Sequence, residues 1–160
     1  MSTMNVLICQ QPKELVWKQR EIPIPGDNEA LIKIKSVGIC GTDIHAWGGN
    51  QPFFSYPRVL GHEICGEIVG LGKNIADLKN GQQVAVIPYV ACQQCPACKS
   101  GRTNCCEKIS VIGVHQDGGF SEYLSVPVAN ILPADGIDPQ AAALIEPFAI
   151  SAHAVRRAAI

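Results

Sequence analysis

The stretch GHEICGEIVGLGKNI occupies residues 61–75. From Glu63 to Val69 it is rich in apolar and β-branched residues, which predicts a β-strand. Four glycines punctuate the stretch, and glycines in strands mark bulges, tight turns or close backbone approach. His62 and Glu63 stand together where the predicted strand begins. The stretch therefore predicts a glycine-punctuated β-rich domain with an imidazole and a carboxylate at one strand end.

Further strands are predicted on both sides of this stretch. Residues 30–37 alternate in polarity, with Ile32 and Ile34 on one face and Lys33 and Lys35 on the other, which is typical of a half-buried strand. The remaining predicted strands are Met4–Cys9, Leu15–Lys18, Gln83–Pro88 and Phe120–Val126. The first two of these are expected to form a hairpin.

Helical signals come late in the chain. Asp138 followed by Pro139 favours a helix start, and an alanine-rich pattern continues over residues 148–160 after Pro147 interrupts it. We therefore expect a β-rich domain over residues 1–135. Residues 136–160 are expected to be the helical start of a connection to a second domain. The alternative is a terminal helix that packs back onto residues 1–135.

The composition excludes several classes of protein. The chain has 160 residues, of which 47% are hydrophobic, so it has enough apolar residues for a core and is not a disordered chain. Its 13 Lys and Arg against 14 Asp and Glu give a net charge of −1, which argues against a nucleic-acid-binding face or a polybasic membrane anchor. The sequence contains no signal peptide pattern and no apolar run long enough to span a membrane. We expect a cytoplasmic protein with reduced thiols.

Four cysteines form the strongest local motif, Cys92-x2-Cys95-x2-Cys98-x7-Cys106. Four thiolates at such spacing can bind zinc tetrahedrally, and a site that is filled by four thiolates is structural because it has no open position. We call residues 92–106 the cysteine lobe. Spacing alone leaves open whether Cys105 or Cys106 is the fourth ligand. The alternative is one or two disulfides in an oxidised chain.

A second set of residues has the chemistry of a catalytic zinc site. It comprises Cys40 with the following Thr42, Asp43 and His45, then His62 and Glu63, and much later Glu146. A cysteine, a histidine and a carboxylate leave a fourth position for water or substrate. Taken singly, each of these residues also has an ordinary structural explanation, and spacing does not join the segments.

Several motifs together resemble the zinc-containing alcohol dehydrogenases of the medium-chain dehydrogenase/reductase family. They are Gly-His-Glu-x2-Gly-x5-Gly-x2-Ile at 61–75, Cys-Gly-Thr-Asp-x-His at 40–45, the cysteine lobe, and Asp-Gly-Gly-Phe-Ser-Glu-Tyr at 117–123, where the family usually has alanine in place of Ser121. The resemblance implies a mainly β fold, a GroES-like partly open β-barrel with a zinc-binding lobe and C-terminal helices. No Gly-x-Gly-x-x-Gly turn leads from a strand into a helix, so we expect the family's Rossmann coenzyme domain to be absent from this chain.

The resemblance also implies roles for individual residues. Cys40, His62, Glu63 and Glu146 are expected ligands of a catalytic zinc, so that with the cysteine lobe two zinc ions bind per chain. Asp43 would orient His62, and Thr42 and His45 would relay a proton from the substrate hydroxyl to solvent. Hydride would pass to NAD(P), which is bound mainly by the absent domain. The full-length protein is expected to be a homo-oligomer, and this chain alone to be inactive.

For the substrate, the resemblance favours the polyol branch of the family. The expected reaction oxidises a secondary alcohol of a polyol or sugar acid, with L-galactonate to tagaturonate as the first candidate. Trp47 and Phe53 are candidate walls of the pocket, and Arg58 is a candidate partner for an acid's carboxylate. The alternatives are a threonine or simple alcohol dehydrogenase and a non-enzymatic GroES-like zinc scaffold.

Overall fold

The computed structural model describes residues 2–52 and 54–160. Within these residues the strands are β1 (Thr3–Gln11), β2 (Glu14–Glu21), β3 (Glu29–Gly38), β4 (Arg58–Val59), β5 (Glu63–Leu71), β6 (Gln83–Val86), β7 (Tyr89–Val90), β8 (Ser110–Val111), β9 (Tyr123–Pro127) and β10 (Ile131–Pro133). The helices are α1 (Gly41–Gly48), α2 (Pro96–Lys99), α3 (Pro139–Ala143) and α4 (Ile145–Ala158). Short 3₁₀ helices span Thr103–Cys105 and Val128–Asn130. The chain is therefore mainly β, as predicted.

Two antiparallel sheets form the body of the molecule. The smaller sheet has the strand order β2-β1-β4, and its β1–β2 pair confirms the predicted hairpin. The larger sheet has the order β10-β6-β5-β3-β9. A separate two-stranded pair, β7 with β8, lies at the two ends of the cysteine lobe. Every strand pair in the described part of the chain is antiparallel, whereas a Rossmann sheet is mostly parallel.

The main core lies on the larger sheet, and β3 and β5 run through its centre. Ile32 is fully buried while Lys33 and Lys35 are exposed, which confirms the predicted alternation along β3. The largest fully buried side chains of this core are those of Ile32, Ile64, Ile68, Ile112, Val84 and Val126. Helix α3 packs against the same sheet through Ala142 and Ala143, while α4 buries none of its residues.

Helix α1 is an element that sequence analysis did not predict. Sequence analysis found helical signals only late in the chain, but residues 41–48 form two helical turns. The Asp43 carboxylate accepts a hydrogen bond of 2.9 Å from the Cys40 amide, which satisfies one of the free N–H groups at the helix start. At the other end, Gly49 adopts a left-handed conformation with φ 80° and closes the helix. Hydrogen bonds at both ends thus stabilise a helix that is short and has the unfavourable residue glycine at each end.

Strand β9 begins later than the sequence predicts. The predicted strand starts at Phe120, whereas β9 starts at Tyr123. The Phe120 carbonyl accepts a 2.8 Å hydrogen bond from the Leu7 amide, and Ser121 pairs with Val6. The segment therefore pairs first with β1 of the smaller sheet and only then joins β3 of the larger one.

The break between the C-terminal helices also differs from the prediction. It falls at Leu144, between α3 and α4, and Pro147 lies inside the first turn of α4. Proline is tolerated there because the amide groups of a first turn have no partner within the helix. None of the helices in the described residues is long and apolar enough to cross a membrane.

Candidate metal centres

The cysteine lobe brings four sulfur atoms together. The Sγ atoms of Cys92, Cys95, Cys98 and Cys106 lie within 4.8 Å of one another. Cys95 is the N-cap of α2, and proline follows it at the first helical position, so the two-residue spacers bend around a helix start. Such a set of four sulfurs can bind a zinc ion.

Backbone amides support the negative charge that these sulfurs carry as ligands. The Cys92 and Lys108 amides each donate to the Cys106 sulfur at 3.3 Å, and the Cys98 amide donates to the Cys95 sulfur at 3.5 Å. Amide groups of Gln94 and Cys95 lower the pKa of Cys92 to about 6. Burial and the neighbouring sulfurs raise the pKa of Cys98 to about 12. Amide hydrogen bonds thus favour the thiolate form of Cys92, whereas burial favours the thiol form of Cys98.

The structure places the two adjacent cysteines of the lobe differently. Cys106 is buried inside the sulfur cluster, whereas Cys105 is exposed. Cys105 ends a 3₁₀ helix, so its side chain points to a different side of the chain from that of its neighbour. Geometry thus favours Cys106 as the fourth ligand, an alternative that spacing had left open.

The second group of donors comes from two separate segments of the larger sheet. The ligand atoms of Cys40, His62 and Glu63 lie within 4.8 Å of one another. Cys40 follows the end of β3, while His62 and Glu63 stand at the start of β5, and β3 and β5 pair antiparallel. An antiparallel pair brings the end of one strand beside the start of the other. We call this group the Cys40–His62–Glu63 cluster.

Asp43 ties the two segments of the cluster together. Its carboxylate accepts hydrogen bonds from the Cys40 amide at 2.9 Å and from the Gly61 amide at 3.0 Å. It lies 3.9 Å from the His62 Nδ1, which is longer than a hydrogen bond. Asp43 therefore contacts the backbone next to His62, and in this structure it makes no hydrogen bond to the ring.

The cluster has unsatisfied groups that fit a bound cation. His62 Nδ1 is buried and has no hydrogen-bond partner. Glu63 is 7% exposed and has no ion pair with any basic side chain of the described residues. Burying a carboxylate without a partner of opposite charge is costly. The donor set of one thiol, one imidazole and one carboxylate is suited to zinc and leaves a fourth coordination position open.

Helix α1 carries the two residues expected to relay a proton. The Thr42 hydroxyl oxygen lies 3.8 Å from the Cys40 sulfur, beside the cluster. His45 lies one helical turn later and is exposed to solvent. Residues three apart on a helix are neighbours on its surface, so the helix arranges Thr42 and His45 from the cluster outwards.

Glu146 is the one expected ligand that lies outside the cluster. Its carboxylate accepts a 2.6 Å hydrogen bond from the hydroxyl of Tyr89. Burial, this bond and the nearby Cys40 all raise the pKa of Tyr89. Tyr89 and Glu146 line a groove of about 390 Å³ that also includes His153. Sequence analysis did not single out Tyr89, because a lone tyrosine before the cysteine lobe carries no motif.

The candidate pocket residues have separate surroundings. Trp47 is 41% exposed and lines an apolar hollow with Ile39 and Ile44. Arg58 lies 3.6 Å from Asp117 and donates to the Ser55 hydroxyl at 3.0 Å, so it is already engaged within the chain. Phe53 lies outside the described residues.

The segment at 118–120 packs on the backbone just before His62. The amides of Gly118, Gly119 and Phe120 donate to the carbonyls of Val59, Gly61 and Leu60 at 2.8, 2.8 and 2.9 Å. A Cβ atom on Gly118 would lie 2.3 Å from the Gly61 carbonyl oxygen. Glycine is therefore required at 118 for this close approach, and the segment fixes the strand from which His62 and Glu63 project.

Comparison with known proteins agrees with this geometry. The family model described as the alcohol dehydrogenase GroES-like domain matches residues 26–136. The starvation-sensing protein RspB of Escherichia coli K12 is 43% identical over 152 residues, which cover 94% of this chain and 44% of RspB. An L-threonine 3-dehydrogenase of Legionella pneumophila is 38% identical over 156 residues, which cover 94% of this chain and 46% of that enzyme.

Solved structures give the same result. A short chain alcohol dehydrogenase (rspB) from Escherichia coli CFT073, complexed with NADH, superposes with a TM-score of 0.91 at 40% identity, over 98% of this chain and 46% of that one. Galactitol-1-phosphate dehydrogenase from Escherichia coli superposes with a TM-score of 0.91 at 33% identity, over 97% of this chain and 45% of that one. The chain thus spans slightly less than half the length of these relatives. The chain therefore belongs to the zinc-type alcohol dehydrogenase family, as its motifs indicated, and the part that matches is the GroES-like domain.

Proposed function

We propose that this chain supplies the metal-binding catalytic part of a zinc-dependent NAD(P) oxidoreductase that oxidises a secondary alcohol. The observation that carries the proposal is the Cys40–His62–Glu63 cluster, whose donors are held within 4.8 Å of one another. The cysteine lobe would hold a second, structural zinc, giving two per chain. Relatives whose names or titles include a dehydrogenase or bound NADH support the oxidoreductase class.

The residues around the cluster support separate roles in the transfer of the proton and of the hydride. A zinc ion, when bound, acts as a Lewis acid that lowers the pKa of a hydroxyl beside it. Thr42, next to the Cys40 sulfur, accepts the proton that the substrate hydroxyl loses and at the same time gives up its own hydroxyl proton towards His45. His45, exposed on the same helix, passes that proton to solvent. Nicotinamide, when bound, accepts the hydride.

The chain's organisation follows from the same proposal. Residues 1–135 form the catalytic domain, and residues 136–160 begin the connection to a coenzyme-binding domain. Helix α4 buries none of its residues fully, which suits a segment that another domain covers. The full-length protein is a homo-oligomer in the cytoplasm, where thiolate ligands stay reduced.

For the substrate, we propose a polyol or a sugar acid, with L-galactonate as the first candidate. The likeness to galactitol-1-phosphate dehydrogenase supports polyol chemistry. The second candidate is L-threonine, which the 38% identity to an L-threonine 3-dehydrogenase supports. Comparing the turnover of L-galactonate, L-threonine, sorbitol and ethanol by the full-length protein separates these substrates. Turnover of none of them would favour a non-enzymatic zinc scaffold.

The decisive experiment counts zinc ions per chain. Reduced, metal-loaded chain is compared with a Cys40→Ala/His62→Ala variant by elemental analysis. We expect two zinc ions in the unmodified chain and one in the variant, because the cysteine lobe is untouched. One zinc ion in both proteins would contradict a metal site at the Cys40–His62–Glu63 cluster and would overturn the proposed function.

A further inference from the structure

Gly38 and Glu63 face each other across the two central strands. Gly38 is the last residue of β3 and pairs with Glu63, the first residue of β5. A Cβ atom added to Gly38 would lie 2.0 Å from the Glu63 Oε2 and 2.9 Å from the Glu63 Cβ. The Glu63 carboxylate therefore occupies the volume that a side chain at position 38 would fill.

This arrangement explains how Glu63 reaches the other donors of the cluster. Directly opposed residues of an antiparallel pair project to the same face of the sheet, so a side chain at 38 would stand beside that of Glu63. With glycine there, the carboxylate lies over β3, near the point where the chain continues to Cys40. Its ligand oxygen is thus within 4.8 Å of the donor atoms of Cys40 and His62.

The backbone at position 38 does not itself require glycine. Gly38 is not among the glycines with a positive φ angle, so any L-residue can adopt its conformation. Glycine in a strand is unfavourable because it loses more conformational freedom on folding than other residues. The contacts supply a different reason for glycine at position 38: a larger residue would occupy the space that the Glu63 carboxylate fills.

We propose that Gly38 is a positioning residue whose missing side chain admits Glu63 to the metal cluster. A side chain at this position turns a cluster of three donors into one of two, Cys40 and His62. The inference rests on the proposed function, because it requires a cation between these donors. It adds a residue that touches no metal itself and acts only through the carboxylate.

The test measures metal binding by the full chain with Co²⁺, whose visible absorption reports on its ligands. The Cys40→Ala/His62→Ala variant gives the binding curve of the cysteine lobe alone. We expect Gly38→Ala to weaken the affinity of the Cys40–His62–Glu63 cluster for Co²⁺ about 10- to 100-fold, the range typical of residues that orient a ligand. Gly70→Ala is the matched control, since it lies in the same strand pair and its Cβ would meet nothing closer than 3.4 Å. That control should bind both ions normally.

A double-mutant cycle separates this role from a general disturbance of the sheet. Glu63→Gly removes the side chain through which Gly38 is proposed to act. In that background Gly38→Ala should cause no further loss of affinity, giving a strongly non-additive cycle. An equal loss in both backgrounds would show that position 38 acts on the sheet, and would overturn the proposal.

Three other results would also support or overturn the proposal. If Gly38→Ala alone fails to fold, recovery of a cooperative thermal transition in Gly38→Ala/Glu63→Gly supports the conflict between the two side chains, and no recovery overturns it. Full affinity in Gly38→Ala overturns the role of Gly38 while the proposed function stands. An unmodified chain that binds one Co²⁺ ion with the same curve as the Cys40→Ala/His62→Ala variant overturns the proposed function and this inference together.

Discussion

The cysteine lobe and the Cys40–His62–Glu63 cluster gather their donors in opposite ways. The lobe takes four identical donors from one short segment, residues 92–106, and β7 and β8 close its ends. The cluster takes three different donors from two segments, one just after the end of β3 and one at the start of β5. Asp43 and the segment 118–120 hold those strands in place by hydrogen bonds to Gly61 and its neighbours.

The two centres therefore depend differently on their metal. The three buried residues of the lobe's core are all cysteines, Cys95, Cys98 and Cys106, and the half-buried residues packed against them are Ala91, Cys92, Ala97 and Ile109. The regular structure of the lobe is limited to α2 and one 3₁₀ helix, which is too little to be stable alone. The cluster is attached to a sheet with a large apolar core. Metal should thus fold the lobe, whereas the sheet arranges the cluster in advance.

The largest expected effect comes from breaking the lobe. Cys98→Ser should remove one zinc ion per chain and lower the free energy of unfolding by about 4 kcal/mol or more, as for other losses of a structural metal. Cys105→Ser is the matched control, because Cys105 is exposed and lies outside the sulfur cluster. Elemental analysis and thermal unfolding measure both quantities. A stable, zinc-free lobe in Cys98→Ser would show that its fold does not depend on metal.

The next effect tests how closely the segment 118–120 packs on the backbone just before His62. In Gly118→Ala the new Cβ would lie 2.3 Å from the Gly61 carbonyl oxygen and 2.7 Å from that of Leu60. Both are backbone atoms, so we expect a loss of about 3 kcal/mol, at the upper end for overpacking. Gly41→Ala is the control, because its Cβ would meet no atom within 4 Å, and alanine at that helical position should stabilise by about 0.5 kcal/mol. Urea unfolding of both variants measures the difference.

A smaller effect is expected at Asp43. In Asp43→Asn one amide N–H of Cys40 or Gly61 loses its acceptor, since the asparagine NH₂ group cannot accept a hydrogen bond. We expect a loss of about 1–2 kcal/mol in the free energy of unfolding. The affinity of the Cys40–His62–Glu63 cluster for metal should fall about 10- to 100-fold. The cysteine lobe should bind normally.

Asp138→Asn is the matched control for this prediction. Asp138 also accepts amide hydrogen bonds, from Gln140 and Ala141, but as the exposed N-cap of α3. Asparagine and aspartate cap helices almost equally well, so the control should change neither stability nor metal binding. Equal metal binding in Asp43→Asn and the control would contradict a role for Asp43 in arranging the cluster.

The contrast between the two centres also explains what the sequence could predict. The cysteine lobe follows from spacing, because its donors are neighbours in the chain. Donors such as Cys40 and His62 meet only through the pairing of β3 with β5, which no local pattern encodes. Family resemblance, not periodicity, brought them together in the prediction.

Each missed feature has an identifiable physical cause. Helix α1 escaped prediction because it is short and glycine-flanked, and its cap is an aspartate that reaches back to a cysteine. Tyr89 was missed because its partner, Glu146, is distant in sequence. The start of β9 was misplaced because the preceding residues pair with the other sheet. The misses at Tyr89 and at the start of β9 involve tertiary contacts that lie beyond any local signal.

The smallest expected effect concerns the ion pair at the far end of the segment that packs on Gly61. Arg20 lies 2.6 Å from Asp117, and both side chains are about 40% exposed. Asp117 also accepts a 2.9 Å hydrogen bond from the Val59 amide, so its position does not depend on Arg20 alone. Because exposed pairs contribute little, Arg20→Met should cost about 0.5 kcal/mol, and less in high salt.

Lys73→Met provides the reference for that prediction, since its ion pair with Asp27 at 3.5 Å is more exposed, with 85% and 59% of the two side chains accessible. It should cost almost nothing, and neither variant should change the second metal site. Urea unfolding at low and high salt, with Co²⁺ titration of both variants, measures these effects. A weaker second site in Arg20→Met alone would mean that surface charge helps to arrange the cluster. In that case backbone packing would not be sufficient to arrange the donors of the cluster. The lobe would still be folded by its metal, but the cluster would be arranged by the larger sheet together with the β1–β2 hairpin that carries Arg20.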